Sequence, residues 1–508
     1  MSLSKVISAA ILGLEPKPIE VEVDIGAGLP AILIVGLPAK EVDESKERVK
    51  SAIKNSNAIF PTQRITINLA PADLPKTGPA YDLPIAVGVL AAAGQIPHQE
   101  LEKSLFVGEL SLNGDLRHIN GVLPISLMAK EKGFQKIFVP YEDGQEASII
   151  SGIKIYAIKN LTDLILMLKN EKKIKPEKTR QINNQKIETQ EFEADFANIK
   201  GQESAKRALE IASSGGHNVL MIGPPGSGKT LLSRALPSIL PNMSPAEILE
   251  VSKIYSIAGL LPEAENIIFQ RPFRNPHHTA SDIALVGGGQ HPRPGEITLA
   301  HRGVLFLDEL PEFNKNVLEV LRQPLEDKYV TVARAAGTMK FPADFILIAA
   351  MNPCPCGYLN DPIRPCTCTP SQIVRYQKKI SGPLLDRIDL YLEVPRVKTE
   401  KLTEENVSES SAKIRERVEK ARKIQLKRFA GKNFFTNSSM KISDIKEFCV
   451  LDEQGKKMIK AALQKLNLSA RSFHRILKIS RTIADLAGEK NIKTNHIAEA
   501  LQYRPKDS

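Results

Sequence analysis

The chain has 508 residues, of which 42% are hydrophobic and 25% are charged, so it can form about two to four folded domains with sizeable cores. Its net charge of +11 indicates an anionic partner such as nucleic acid, and the alternative is a scattered, solvated basic surface. No apolar run approaches the roughly 20 residues of a membrane span, and no signal cleavage site is evident, so we expect a cytoplasmic protein without membrane contact.

Residues 1–169 are predicted to form one α/β domain with a mixed sheet, because alternating apolar and polar residues recur along them. The predicted strands are 19–24, 64–69, 134–140 and 154–157, and the predicted helices are 40–55 and 83–93. Residues 170–194 are rich in Lys, Glu, Asn and Gln, with almost no apolar periodicity, and are predicted to be a linker. Its basic first half could touch nucleic acid, but a solvated tether is the favoured interpretation.

A complete P-loop follows a short apolar strand at 218–222 and precedes a stretch with helical spacing at 231–236. The loop consists of Gly223, Pro224, Pro225, Gly226, Ser227, Gly228, Lys229 and Thr230. Its glycines let backbone N–H groups face a phosphate chain at a helix N-terminus. Lys229 would reach the β- and γ-phosphates and Thr230 would ligate Mg²⁺, so the loop predicts binding of ATP or GTP. The alternative is a glycine-rich turn without a ligand.

Two acids, Asp308 and Glu309, end the next buried strand, which starts at Gly303. A Mg·ATP site needs one carboxylate that holds the water shell of the ion and one that orients the attacking water. Asp308 fits the first role and Glu309 the second. The alternative is a core strand that ends in two exposed acids.

Asn352 ends another buried strand, 345–351. Its amide can sit between the two acids and the γ-phosphate and help to place water, or it can cap the turn before Pro353. The alternation of strands and helices predicts a parallel, doubly wound sheet for residues 195–397. Residues 398–508 are strongly helical and should form a small helical domain.

Four of the five cysteines lie within a loop rich in proline, residues 354–368. They form two Cys-x-Cys pairs, Cys354 with Cys356 and Cys366 with Cys368. Four thiolates can close a tetrahedral Zn²⁺ site, although the spacing departs from the usual Cys-x-x-Cys knuckle. The alternative is a set of free or redox-active thiols.

The stretch 382–389 reads Gly-Pro-Leu-Leu-Asp-Arg-Ile-Asp. With it, the pattern resembles the AAA+ ATPases, and within them the clade of magnesium-chelatase motor subunits and MCM helicases. In that clade the arginine at this position, Arg387, is the finger that completes the ATP site of a neighbouring subunit, where a guanidinium neutralises charge on the γ-phosphate. The alternative is an arginine paired with Asp386 or Asp389.

The resemblance also implies a C-terminal helical lid that carries a second sensor. Arg471 follows a plausible helix cap at Ser469 and matches the lid arginine that reads the γ-phosphate, with Arg475 as the alternative one turn later. We expect Arg471 to act in the site formed by the P-loop of its own chain.

Two insertions match the same clade. Residues 273–298 sit where the clade carries a helix-2 insert, and residues 328–340 resemble the hairpin that precedes the first sensor. In the helicases both elements project into a central pore and grip DNA. Arg334 and Lys340 are therefore candidate phosphate contacts, and the alternative is ordinary surface charge on a hairpin.

Two adjacent histidines, His277 and His278, lie in the first insertion. They could be metal ligands, but no carboxylate or cysteine lies at ligand spacing in the sequence. Packed loop histidines are the favoured interpretation.

Residues 76–84 and the helix of small residues that follows resemble the Lon-type protease domain, a fold of the ribosomal S5 domain 2-like type. The Lon nucleophile is a serine directly after Gly-Pro, where this chain has Ala80. The partner lysine of that family falls near Leu123. A Ser–Lys mechanism needs both groups, so we expect the fold without proteolysis. A role in DNA binding or assembly stays open.

The whole combination resembles the ComM/YifB family of bacterial magnesium-chelatase-like ATPases, most specifically over residues 354–395. The resemblance implies ATP and Mg²⁺ as cofactors and a ring hexamer that translocates DNA. For ComM it implies a helicase that promotes branch migration when imported single-stranded DNA is integrated during natural transformation. Two alternatives are a chelatase-type motor that acts on a protein partner and an ATP-dependent protease.

Overall fold

The computed structural model of the chain describes residues 3–180, 192–289, 293–334, 337–397, 408–465 and 469–505. Along these ranges the chain forms a seven-stranded sheet, then a five-stranded sheet, and finally a group of helices. None of the helices in these ranges is both long enough and apolar enough to cross a bilayer.

The N-terminal region is an α/β unit with a mixed sheet, as predicted. Its strands are β1 (Leu3–Leu12), β2 (Glu15–Gly26), β3 (Ala31–Val35), β4 (Arg64–Ala70), β5 (Ser104–Phe106), β6 (Glu109–Leu110), β7 (Leu116–Arg117), β8 (Lys136–Pro140) and β9 (Lys154–Ile158). Its helices are α1 (Lys40–Asp43), α2 (Ser45–Asn55), α3 (Asp82–Ala92), α4 (Val122–Glu131), α5 (Gly144–Ala147) and α6 (Leu161–Leu168). The sheet order is β3-β4-β2-β1-β5-β8-β9, in which β2 runs antiparallel to both β1 and β4, whereas the other neighbours are parallel.

Helix α3 packs on β1 and β2 of this sheet and is buried along its whole length. Its sequence has no polar face after Asp82, which suits a helix surrounded by core. Gly88 lies where helix and sheet are closest, since a Cβ added there would sit 2.7 Å from Cγ2 of Val23. A larger residue at this position would push the helix away from the sheet.

The predicted linker differs from a solvated tether over its first part. The N–H of Glu177 donates to the carbonyl of Ile155 at 2.8 Å, and the N–H of Arg180 donates to the carbonyl of Ser148 at 2.9 Å. These bonds tie the segment back to the N-terminal region. Residues 181–191 lie outside the described ranges.

The central region contains a parallel five-stranded sheet in the order β11-β14-β17-β10-β18. Its strands, with two small hairpins, are β10 (Val219–Ile222), β11 (Phe273–Arg274), β12 (Gly287–Gly288), β13 (Arg293–Pro294), β14 (Val304–Leu307), β15 (Tyr329–Arg334), β16 (Gly337–Pro342), β17 (Ile346–Met351) and β18 (Leu390–Glu393). Its helices are α7 (Glu203–Gly215), α8 (Lys229–Ala235), α9 (Pro245–Ala258), α10 (Asp282–Val286), α11 (Glu296–Leu299), α12 (Lys315–Val320), α13 (Arg322–Asp327), α14 (Pro370–Gln377) and α15 (Gly382–Leu385). The three central strands are buried and apolar, as parallel strands covered on both faces require.

The C-terminal region is helical, as predicted. Its helices are α16 (Ser411–Arg428), α17 (Ile442–Phe448), α18 (Glu453–Lys465), α19 (Ala470–Leu486) and α20 (Thr494–Gln502). They pack on α7 and on the end of the sheet where β10 and β18 begin. At that end Nε2 of His217 lies 2.8 Å from Oγ1 of Thr482, and the N–H of Tyr391 donates to the carbonyl of Tyr503.

The N-terminal region touches the central region through buried polar contacts. Oγ of Ser256, near the end of α9, donates to Oε1 of Glu146 at 2.6 Å, and the N–H of Leu123 donates to the same oxygen. The carbonyl of Ser256 accepts from the N–H of Gly121 at 3.1 Å. Gly13, in the turn between β1 and β2, lies against Met339 of the β15–β16 hairpin. The two regions therefore meet at α9 and at this hairpin.

Candidate nucleotide site and metal centre

The P-loop connects the C-terminal end of β10 to the first residue of α8, which is the setting that its sequence predicts. Gly226 and Gly228 adopt φ values of +73° and +91°, and a Cβ on either would meet no atom within 4 Å. Glycine is needed here for the left-handed backbone. The open space beside the loop leaves room for a phosphate chain at the start of the helix.

Lys229 is buried at the base of the P-loop. Its Nζ donates to the carbonyls of Gly223 and Pro224 at 2.7 and 3.0 Å and to Oδ1 of Asn352 at 3.3 Å. Burial lowers the pKa of Lys229, and the nearby Asp308 partly opposes that shift. Oγ of Ser227 is buried without a hydrogen-bond partner among the described residues. A cation held by neutral oxygens, next to an unsatisfied hydroxyl, fits a site for an anionic phosphate chain.

Asp308 and Thr230 meet although 77 residues separate them in the chain. Oγ1 of Thr230 donates to Oδ2 of Asp308 at 2.8 Å, and Oδ1 of Asp308 accepts from the N–H of Glu309 at 2.9 Å. They meet because β10, β17 and β14 are parallel neighbours, so the residues after them share one edge of the sheet. A hydroxyl and a carboxylate side by side are the oxygen ligands that Mg²⁺ prefers.

Glu309 adopts a left-handed conformation, with φ of +51°, and its side chain is exposed. Nδ1 of His278 lies 3.5 Å from Oε2 of Glu309, and the His278 ring packs edge-on against Phe313. The expectation of packed loop histidines holds in part, since the rings of His277 and His278 lie 4.1 Å apart, but His277 is exposed and His278 is only half-buried beside a carboxylate. The sequence could not indicate this contact, because it depends on β11 and β14 being neighbours.

The four cysteines converge on one point. Sγ of Cys354 lies 3.4 Å from Sγ of Cys356 and 3.6 Å from Sγ of Cys366, and the four sulfur atoms lie within 4.8 Å of one another. A tetrahedral zinc with Zn–S bonds of about 2.3 Å sets sulfur atoms about 3.8 Å apart, so this cluster fits Zn²⁺. The N–H of Cys356 donates to Sγ of Cys368 at 3.3 Å, the kind of outer contact that steadies a thiolate ligand.

Arg387 lies in the turn that leads into β18, at the N-terminal ends of the parallel strands. The P-loop lies at the opposite, C-terminal ends of these strands. The N-terminal residue of β18 pairs with that of β10, whereas the P-loop leaves the other end of β10. The guanidinium of Arg387 pairs with Glu326 at 2.6 Å and donates to the carbonyl of Arg322, so its partner is neither Asp386 nor Asp389. It cannot reach the P-loop of its own chain from there.

Arg471 lies beside this turn, with its Nη1 atom 3.7 Å from Oδ2 of Asp386, and its side chain is 65% exposed. Arg471 therefore lies beside the turn that carries Arg387 and not beside the P-loop of its own chain, because the C-terminal helices dock at that end of the sheet. Arg475 does not replace it, since that residue pairs with Asp389 and the carbonyl of Ile388.

The predicted hairpin before Asn352 is formed by β15 and β16, with Arg334 paired in register with Gly337 at its tip. The side chain of Arg334 lies outside the described part of the structure. Lys340 is exposed, and its Nζ lies 4.8 Å from the centre of the Tyr329 ring. An exposed lysine on a hairpin can contact a phosphate group, and the half-buried Tyr329 ring lies beside it.

The positions that correspond to the Lon nucleophile and lysine carry no such chemistry. Ala80 accepts a hydrogen bond from the N–H of Gly108 through its carbonyl, and Leu123 is fully buried beside Glu146. Burial raises the pKa of Glu146 to about 7, against the opposing bond from Ser256. The buried contacts of Glu146 with Leu123 and Ser256 therefore form a joint between the two regions.

Three stretches of the chain match families of magnesium chelatase subunits. Residues 195–402 match "Magnesium chelatase, subunit ChlI", residues 21–143 match "Subunit ChlI of Mg-chelatase", and residues 408–504 match "Magnesium chelatase, subunit ChlI C-terminal". The matches follow the two sheets and the C-terminal helices in order.

Similarity to individual proteins extends over the whole length. The chain is 44% identical to competence protein ComM of Haemophilus influenzae, over 99% of this chain and 98% of that protein. It is 42% identical to the uncharacterized protein YifB of Escherichia coli, over 100% of this chain and 98% of that one. A weaker similarity, 32% over 162 residues and 29% of each chain, relates it to Lon protease 2 of Bacillus subtilis.

The parallel sheet with a P-loop and two acids at one edge, followed by C-terminal helices, defines a magnesium-chelatase-like AAA+ protein. Within that class, the chain is more than 40% identical to ComM and to YifB over nearly its full length, which identifies its family. The chain belongs to the ComM/YifB family.

Proposed function

We propose that this protein is an ATP-driven DNA motor, in which a ring of identical subunits, six by the family resemblance, moves branched DNA during recombination. The observation that carries the proposal is the separation of two half-sites. The P-loop, Asp308 and Glu309 lie at the C-terminal ends of the parallel strands, whereas Arg387 and Arg471 lie at the N-terminal ends. A complete site then needs two subunits, as in a ring.

In the nucleotide site, Lys229 would hold the β- and γ-phosphates, and the backbone N–H groups from Gly223 to Gly228 would line the phosphate chain. Thr230 and Asp308 would hold Mg²⁺, which supplies charge neutralisation on the phosphates when it is bound. Glu309 would accept a proton from the attacking water, and Asn352 would orient that water. The contact of Asn352 with Lys229 supports its place in the site.

Across the subunit boundary, Arg387 and Arg471 would both approach the γ-phosphate of the neighbour. Arg471 is exposed and can reach outward as it stands. Arg387 is only 12% exposed and would have to exchange Glu326 for the phosphate. Such a guanidinium stabilises the charge that develops during phosphoryl transfer.

DNA is the proposed track, and it follows from charge and from the relatives. The net charge of +11 favours a polyanion, and the similar protein of Haemophilus influenzae is named a competence protein. Lys340 on the β15–β16 hairpin, with Arg334 at the tip, would contact phosphates. We infer that the motor works in the cytoplasm, where DNA that enters by natural transformation is integrated.

The deciding experiment measures ATPase rate with no DNA, single-stranded, duplex and four-way DNA, together with strand displacement. We expect stimulation that is strongest with branched DNA and that falls steeply with salt. Equal rates under all four conditions would contradict the DNA motor.

A chelatase-type motor that acts on a protein is the second candidate. It is favoured by the chelatase family matches and by 27% identity over 176 residues to the magnesium-chelatase 38 kDa subunit of Rhodobacter capsulatus. ATPase stimulation by a chelatase partner, but by no DNA, would support it. Proteolysis has no support in Ala80 and Leu123, and a casein degradation assay tests it.

We also propose that Cys354, Cys356, Cys366 and Cys368 hold one structural Zn²⁺. The converging sulfur atoms support this site. Metal analysis of protein purified without chelator should find about one zinc per chain. A content below about half an equivalent would contradict it.

A further inference from the structure

The cysteine loop, residues 354–368, lies directly against the P-loop. Gly357, between the two cysteine pairs, has φ of +84°, and a Cβ added to it would sit 2.5 Å from Cδ of Pro225. The same Cβ would lie 3.7 Å from Cγ of Asn352. Gly357 is therefore a point of close backbone approach, at which the cysteine loop contacts both a P-loop residue and the residue that touches Lys229.

The loop is also tied to its surroundings at its start and near its middle. At the start, Asn352 leads through Pro353 into Cys354, and Gln377 of α14 donates to the carbonyl of Pro353. Further along, Asp361 pairs with Arg396, just beyond β18, at 3.1 Å. The preceding residue, Pro395, shares the side-chain amide of Gln202 with the carbonyl of Ser227 in the P-loop.

Apart from the cysteines, polar contacts rather than an apolar core hold this loop in shape: the N–H groups of Ile363 and Arg364 donate to Oδ1 of Asp361, and the Arg364 side chain donates to the Tyr358 hydroxyl. Residues 352–369 contain no helix or strand, and Ile363 is 74% exposed, so the loop has scarcely any core of its own. Cys354 is its one fully buried hydrophobic residue. A metal that joins four thiolates restricts such a loop far more than its own packing does.

We propose that the cysteine loop is a wall of the nucleotide site, so that metal binding by the four thiolates and nucleotide binding by the P-loop strengthen each other. The inference rests on the ATP and zinc sites proposed above. When the thiolates share a metal, Gly357 holds Pro225 and Asn352 in place. When the metal is absent, the loop and the P-loop residue beside it gain freedom that nucleotide binding must remove. Such coupling is reciprocal.

The first test uses Gly357→Ala with Gly431→Ala as the matched control. Both glycines have a similar positive φ, +84° and +82°, but a Cβ at Gly431 would meet nothing within 4 Å. We measure the Kd for a fluorescent ATP analogue, the zinc content and the thermal midpoint of each purified protein. We expect Gly357→Ala to weaken nucleotide binding by about 10-fold or more with zinc retained, and Gly431→Ala to bind like the parent. Equal Kd values for the ATP analogue in the two variants would contradict the role of Gly357 at the nucleotide site.

The second test needs no variant and so does not depend on folding of Gly357→Ala. The zinc Kd of the parent protein is measured by equilibrium competition with a colorimetric chelator, with and without a saturating non-hydrolysable ATP analogue. We expect the zinc Kd to fall by about 5-fold or more with the analogue, by reciprocity of the two binding free energies. Protein that carries zinc and binds the analogue, but has the same zinc Kd in both conditions, would overturn the coupling alone. Protein without zinc, or without affinity for the analogue, would overturn the proposed site and the coupling with it.

Discussion

At the scale of single residues, the buried charge of Lys229 is the feature that most needs a ligand. Its ammonium group contacts two backbone carbonyls and one amide oxygen, and burial lowers its pKa. Neutral oxygens compensate a buried charge only in part. A phosphate chain would supply the negative charge, so the arrangement favours nucleotide binding over a packing role.

Lys229→Ala should weaken ATP binding by about 100-fold or more, equivalent to about 2.7 kcal/mol, because a charge-assisted contact to two phosphates is lost. The measurement is equilibrium binding of a fluorescent ATP analogue. Lys456→Ala removes an exposed lysine of α18 and should bind as the parent does. An unchanged Kd for Lys229→Ala would contradict the assigned role.

Glu309→Gln should retain ATP binding but slow hydrolysis by about 100-fold or more, since the amide cannot accept the proton of the attacking water. ATP turnover and ATP affinity are measured on the same preparation. The matched control is Glu312→Gln, an exposed glutamate three residues further on that pairs with Lys379. Normal turnover in Glu309→Gln would exclude Glu309 as the base.

At the scale of elements, the parallel order of strands explains which residues meet. Because β11, β14, β17 and β10 are consecutive neighbours, His278, Glu309, Asn352 and the P-loop emerge along one edge. The turn before β18 and the start of α19 emerge at the other edge, which carries Arg387 and Arg471. The strand-loop-helix context of the P-loop was predictable because it is local. The side on which Arg471 lies was not, because it depends on where distant helices dock.

Arg387→Ala should bind ATP but lose hydrolysis, and mixing it with Glu309→Gln should restore part of the activity. In a mixed ring, the intact Glu309 of one subunit faces the intact Arg387 of the other variant. The readout is ATPase rate against mixing ratio. Glu326→Gln is the control for packing, because it removes the partner of Arg387 and keeps the arginine. No recovery at any ratio, or an equal loss in Glu326→Gln, would argue against a finger that acts across subunits.

At the scale of the whole molecule, the joint between the N-terminal and central regions contains an acid in a place that disfavours its charge. Glu146 is buried, and burial raises its pKa to about 7, above its ordinary value of 4.5. Its Oε1 atom accepts from both Leu123 and Ser256 and so spans the two regions. A group with a raised pKa stabilises the folded state fully below its unfolded pKa, and that stability is lost as pH rises through the folded value.

Glu146→Gln should therefore melt at a higher temperature than the parent at pH 8, with the difference shrinking as pH falls towards 5. Glutamine keeps the acceptor for Leu123 and Ser256 but never ionises. Thermal midpoints of both proteins are compared between pH 5 and 8, and Ser256→Ala serves as the control, since it removes one bond without changing the charge. A difference that does not vary with pH would contradict a charged Glu146 at high pH.

Features that depend on neighbours in the chain could be predicted from the sequence: the strands of the mixed and parallel sheets, the P-loop between strand and helix, the acids after β14 and the clustering of the cysteines. Which of these features lie together became clear from the three-dimensional structure. His278 lies beside Glu309, and Gly357 packs against Pro225. Arg471 lies beside the turn that carries Arg387, and Glu146 lies in the joint between the N-terminal and central regions. The physical reason is that strand order and helix docking follow from burial of distant apolar faces, which local patterns do not encode.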